Sequence, residues 1–243
     1  MSANNSQQQT LKQIAQEIWE YVKNPTYIPE NTNLAVGVKL RYTLKACLIN
    51  FALIPFIAPL YALVQHLTKA EHILDKESWL LLFSAIILAP IIEEALFRGG
   101  LRYNPWVISI WGAILIGTIG WASLPVPYNK IAIFFAFISI GVLYLYSDKN
   151  KRKYKVYWKK QFPIIFYIVT LSFALVHLMN YKNVSNYLVA IPLTSFQFIM
   201  GLFLGFIRMK FGLRYSIFFH MFWNFTVTFG MLISLIMESD VTI

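Results

Sequence analysis

The chain has 243 residues, of which 58% are hydrophobic, 17% aromatic and only 13% charged, and its mean hydropathy is +0.56. Soluble domains carry about 25% charged residues, so this composition excludes an ordinary soluble globular protein. It specifies an all-α, polytopic transmembrane helical bundle. The formal charge of +10 does not imply a nucleic-acid partner, because Lys and Arg cluster in connectors between apolar segments, where they set topology.

Residues 1–38 hold no continuous apolar core near the start, so no signal peptide is expected and the first span directs insertion. Thr10-Leu11-Lys12-Gln13 has capping-box form. Leu11, Ile14, Ala15, Ile18, Trp19 and Val22 follow at helical spacing, and Asn24-Pro25 ends the pattern. This predicts an amphipathic helix in a cytoplasmic N-terminal segment of residues 1–38, lying on the membrane surface or, as the favoured reading, packed against the protein's own membrane domain of residues 39–243.

Spans need about 20 apolar residues. The pattern predicts seven, at about 40–65, 78–98, 105–124, 130–147, 162–180, 187–208 and 214–237. Cys47, the one cysteine, lies in the first and has no partner for an intrachain disulfide. His66 and His72 fall at or in the connector that follows and are expected to be solvated.

The second span breaks the apolar rule with Glu93, Glu94 and Arg98. An ionisable residue at bilayer depth costs about 2.5–3.5 kcal/mol even on lenient scales, and such groups persist where they line a polar cavity. Glu94 and Arg98, four apart, share a helix face and offset each other's burial. Glu93 points about 100° away and is the carboxylate left free for chemistry. Pro90 removes the helical partner of the Ile86 carbonyl and is expected to kink this helix; Gly99-Gly100 loosen its end.

The third and fourth spans, 105–124 and 130–147, lead to a basic run at 149–160, a topology determinant with anionic-lipid binding as a lesser reading. The fifth span carries Phe173 and His177 on one face, with Asn180 close by. The sixth contains Gly201-Leu202-Phe203-Leu204-Gly205, a pattern that permits close helix approach. The seventh carries His220 and Asn224 on one face. With the N-terminus inside, sixteen Lys and Arg fall in the inside segments and four (Lys69, Lys76, Lys130 and Lys182) in the outside ones. The expected location is a cell membrane, with the N-terminus cytoplasmic.

Glu93, His177 and His220 admit two chemistries. They are a donor set for one catalytic zinc with an open position. Equally, Glu93 can be a general base on water, with the histidines and Asn224 stabilising the oxyanion. No His-Glu-x-x-His motif is present. Span boundaries place His177 near the outer end of its helix and His220 near the inner end of its own, a depth difference of roughly 10–15 Å. A shared site then demands staggered helices.

Glu93-Glu94-x-x-x-Arg98, Phe173-x-x-x-His177 and His220-x-x-x-Asn224, in this order, resemble the CAAX-protease and bacteriocin-processing family of intramembrane endopeptidases, also called CPBP or Abi. Pro90 to Gly99 is close to its first motif, Phe173 to His177 reads like the second, and Gly201 to Asn224 like the third. The resemblance covers roughly 78–226. It implies that Glu93 activates water, that His177 assists or shares a metal, and that His220 and Asn224 hold the oxyanion or complete the site. Glu94, Arg98 and Phe173 support them. It also implies a peptide or lipidated-protein substrate, membrane lipids as surroundings, and zinc as the candidate cofactor. About two extra spans between Arg98 and Phe173 depart from the family pattern. The rival readings are a non-catalytic immunity or interaction protein of the same fold and a small proton-coupled transporter. The intact residue set opposes the first, and the missing inverted repeat opposes the second.

Overall fold

The computed structural model describes residues 9–72, 79–110, 133, 137–142, 144, 146 and 148–241. Helices dominate: α1 (Leu11–Lys23), α2 (Val36–Ala52), α3 (Ile54–Thr68), α4 (Trp79–Leu101), α5 (Asp148–Lys160), α6 (Phe162–Asn180), α7 (Tyr187–Phe211) and α8 (Leu213–Val241). Among the described residues the strands are β1 (Glu71–His72) and β2 (Tyr181–Lys182), paired antiparallel with His72 opposite Tyr181. The fold is an all-α polytopic bundle.

Helices α4, α6, α7 and the Leu213–Ile233 part of α8 are each long and apolar enough to cross a membrane. The predicted first span is not one straight helix. It is the pair α2 and α3, bent by 47° at Leu53. Pro55 in the first turn of α3 lacks the N–H that would continue the ladder from α2. The predicted spans 105–124 and 130–147 lie largely outside the described residues; residues 105–110 are helical. The basic run is itself the helix α5, and the Trp158 indole donates to the Leu101 carbonyl at the end of α4 (3.3 Å).

The capping box of α1 forms as the sequence predicts, with Thr10 and Gln13 bonding each other's backbone N–H. The buried face is Ile14, Ile18 and Tyr21; Leu11 and Trp19 turn outward, with Lys23 over the Trp19 ring. This helix packs on its own domain. Tyr21 meets Phe166 of α6 and Phe206 of α7, and the Tyr167 hydroxyl donates to the Val22 carbonyl. Helix α1 therefore marks one end of the bundle, while the β1–β2 pair sits at the far end of α6.

Close approach of α6 and α7 depends on the two glycines. A Cβ on Gly205 would lie 2.5 Å from Phe166 Cε2, and one on Gly201 would lie 3.0 Å from Thr170 Cγ2 and 3.2 Å from Arg98 Nη2. Backbone contact at these points brings α4, α6 and α7 together around Arg98 and Phe173.

Candidate active site

Helix α4 is not a regular α-helix. Its first turns are α, residues Ser84–Leu88 form a π-turn, Ala89–Glu93 return to α, and Glu94–Arg98 form a second π-turn. In place of a simple kink at Pro90, the chain inserts an extra residue just ahead of the proline. Each insertion turns everything after it by about 100° relative to an uninterrupted helix. Such π-turns concentrate at functional sites.

The glutamates stand where the second π-turn begins, Glu93 closing the α turn and Glu94 opening the π-turn, and they take opposite parts. Glu94 is fully buried, ion-paired on one side and hydrogen-bonded on two others. Arg98 Nη1 lies 3.1 Å from Oε1, His220 Nδ1 lies 3.1 Å from the same oxygen, and the Ser216 hydroxyl donates to Oε2. The Arg98 guanidinium, 1% exposed, also lies flat against Phe173, with Cζ 3.8 Å from the ring centre. Phe173 in turn presents its ring to His177 (4.7 Å) and His220 (5.8 Å) edge to face. The predicted supporting trio of Glu94, Arg98 and Phe173 is therefore one packed unit, and Ser216 joins it without any motif to announce it.

Glu93 has no such partners. Its side chain is 26% exposed, and Oε2 lies 3.6 Å from His177 Nε2 and 3.8 Å from His220 Nε2. The Nδ1 atom of His177 is 2.7 Å from the Phe173 carbonyl. A carbonyl can only accept, so Nδ1 carries the proton and neutral His177 presents a bare Nε2 to Glu93. His220 donates through Nδ1 to Glu94, which likewise aims Nε2 at Glu93. The predicted Glu93, His177 and His220 converge.

Their meeting shows that the depth difference expected from span boundaries does not keep them apart, and a stagger is visible between α7 and α8. Ser216 bonds both Glu94 and the Leu204 carbonyl. It stands three residues from the start of α8, whereas Leu204 stands seven from the end of α7. The start of α8 is thus raised by about a turn, roughly 6 Å. Phe162 and Phe211, the ends of α6 and α7, are buried in the protein. Helices α7 and α8 are staggered along the bundle axis.

Glu93 opens on a cavity of about 420 Å³ whose walls include His177, His220, Asn224, Asn180 and Gln197 beside apolar Met200, Trp223 and Val227. Asn224 donates through Nδ2 to the Ala85 carbonyl at 2.7 Å. His66 is exposed, as expected. His72 is not the solvated connector residue that its position predicts. It lines the cavity and packs edge to face on Tyr181 (5.2 Å), because β1 pairs with β2 just beyond His177. A two-residue pairing between segments over 100 positions apart leaves no periodic trace in the sequence.

Among the described residues, no three His, Cys, Asp or Glu side chains are grouped so as to hold a metal ion.

Residues 149–226 match the family model for type II CAAX prenyl endopeptidase Rce1-like proteins. Over that segment the chain is similar to the CAAX-protease family. The matched segment contains His177, His220 and Asn224, and the α4 glutamates that converge on them lie before it. No curated protein and no solved structure matches the chain. That family is one of proteases, whose substrates are peptides or proteins.

Proposed function

We propose that this chain is an intramembrane endopeptidase that cleaves a membrane-associated peptide or lipidated protein, with Glu93 as general base. One observation carries the reading: a partly exposed carboxylate lining the cavity, faced by two imidazole nitrogens whose other nitrogens are already engaged. An ion-pair cluster built only to lock helices needs Glu94 and Arg98; it has no use for Glu93.

A water between Glu93 Oε2 and His177 Nε2 gives one hydrogen to each and keeps a lone pair for attack on a peptide carbonyl. Glu93 takes the proton as the C–O bond forms. His220, bonded to Glu94 through Nδ1, can hold a second proton on Nε2, hydrogen-bond the developing oxyanion with it and keep it when the C=O bond re-forms. Collapse of the tetrahedral species breaks the C–N bond, and the proton held by Glu93 passes to the leaving amine. The products are a carboxylic acid and an amine, and the site returns to its starting state.

The reading also places the protein in a cell membrane with its N-terminus in the cytoplasm, from the distribution of Lys and Arg. The test compares membrane peptides from cells carrying wild-type and Glu93→Ala protein. Uncleaved precursors should accumulate with the variant. Identical peptide inventories would favour the non-catalytic rival.

A further inference from the structure

We infer that Asn224 is a positioning residue, clamping the first π-turn of α4 and thereby fixing the direction in which Glu93 points. The backbone of α4 makes this clamp necessary. The Ala89 N–H reaches five residues back to the Ser84 carbonyl. The next donor along the chain would be the N–H of residue 90, which is proline and has none. The Ala85 carbonyl thus loses both backbone donors that a helix offers, at the fourth and the fifth following residue. An unpaired carbonyl is costly, and Ala85 lines the cavity, so its donor must come from the cavity wall or from water.

Asn224 Nδ2 fills that vacancy at 2.7 Å. Its identity suits the task. A carboxamide has donors to give a carbonyl, whereas a carboxylate or an aliphatic side chain has none. It is carried on α8 four residues after His220, so the helix that presents one catalytic histidine also grips the helix that presents Glu93.

The consequence for Glu93 is rotational. With the extra residue at Ser84–Leu88, Glu93 faces His177 and His220. If α4 relaxed to a continuous α-helix, the segment after the bulge would turn by about 100° relative to the segment before it. The carboxylate would then leave the two histidines. One of the two amide hydrogens of Asn224 is committed to this bond, and the clamp uses only that one.

The inference about Asn224 rests on the peptidase reading only where activity is concerned, so its test is read without cleavage. The first arm measures unfolding midpoints of the full chain in detergent for wild type, Asn224→Ala, Pro90→Ala and the double variant. Asn224→Ala should lower the midpoint. Pro90→Ala restores a backbone donor, and in that background the effect of Asn224→Ala should largely disappear. The second arm reads direction. In a Cys47→Ala background carrying Glu93→Cys and His177→Cys, a short bifunctional thiosulfonate should join the two sites, and adding Asn224→Ala should slow joining at least about tenfold. Equal midpoint losses in both proline backgrounds would overturn the inference, as would unchanged crosslinking. An unchanged midpoint for Asn224→Ala would also overturn it. Coupling and crosslinking as expected, with no peptide cleaved by wild type, would leave the clamp standing and remove the peptidase reading instead.

Discussion

Glu94 and His220 share a 3.1 Å hydrogen bond, and through it the two adjacent glutamates acquire different work. Glu94 spends its oxygens on Arg98, His220 and Ser216, which leaves Glu93 as the carboxylate that faces the cavity. The pair should therefore respond differently to the same substitution. Glu94→Gln leaves the buried Arg98 cation without its partner, at a cost of about 3–5 kcal/mol. It should lower the yield of folded protein. Glu93→Gln should fold near normally and lose cleavage. Yields from matched membrane preparations, beside cleavage of precursors found in the peptide comparison, check the contrast. Equal yields with equal residual activity would defeat the division of labour.

Gly205 and Gly230 should respond oppositely to alanine. At Gly205 the new Cβ meets Phe166 at 2.5 Å, in the core of the α6–α7 contact. Overpacking there should cost about 1–3 kcal/mol. At Gly230, in the interior of α8, a Cβ meets nothing within 4 Å. Alanine should stabilise that helix by about 0.5–1 kcal/mol. Unfolding midpoints of the two variants, measured side by side, should move in opposite directions.

Helix α1 supplies a third expectation. Ile18 is 3% exposed and lies under the ends of α6 and α7, whereas Leu11 and Trp19 stand outside. Ile18→Ala should cost about 2–5 kcal/mol and free residues 1–35 for proteolysis. Trp19→Ala should do neither. Limited digestion of the purified protein separates the two; equal protection in both would mean that α1 is not held by this face.

The sequence was most informative where chemistry is local. Glu94 with Arg98, and the Thr10 capping box, are four-residue relationships, and each appears as its spacing requires. The four apolar segments from Trp79, Phe162, Tyr187 and Leu213 were legible from hydropathy alone. Convergence of Glu93, His177 and His220 was anticipated from their being misplaced in lipid, although helix depth argued against it. The stagger of α8 against α7 is set by Ser216 reaching Leu204, a tertiary bond that no periodicity encodes. The π-turns were equally hidden. Pro90 signalled a disturbance, but whether a chain answers proline by kinking or by inserting a residue depends on what pairs the orphaned carbonyl. Here that partner is on α8. His72 was misread for a similar reason, since only the distant β2 brings it to the cavity.

Topology gives a fourth expectation. The cavity includes His72 and Asn180, toward the β1–β2 end of α6, while α1 contacts the other end. With the N-terminus inside, the β1–β2 end faces outward. Reporter fusions after Asn150 should read cytoplasmic and fusions after Thr242 external. A cysteine introduced by Lys182→Cys in a Cys47→Ala background should react with a membrane-impermeant thiol reagent added to intact cells. Fusions reading the same side would mean that the number of spans differs in parity from seven.

The last expectation concerns zinc, for which Glu93, His177 and His220 are the sequence candidates. In the proposed mechanism His177 Nε2 accepts a water hydrogen and His220 Nε2 donates a hydrogen bond to the oxyanion. An imidazole nitrogen bound to a metal can do neither, because its lone pair is spent on the ion. The two chemistries are therefore exclusive at the same atoms. A catalytic zinc held by these donors at about 2.0–2.2 Å would leave neither Nε2 a lone pair to accept a hydrogen or to hold a proton. Activity should thus survive exhaustive chelation, and metal analysis of the active, purified protein should find zinc well below one per chain. The histidines should also differ in kind. His220→Gln should leave binding of an uncleaved peptide near normal while removing turnover, since its proton acts on the oxyanion. Near-stoichiometric zinc, lost together with activity on chelation and restored with it on adding zinc back, would replace Glu93 as base by a metal-bound water.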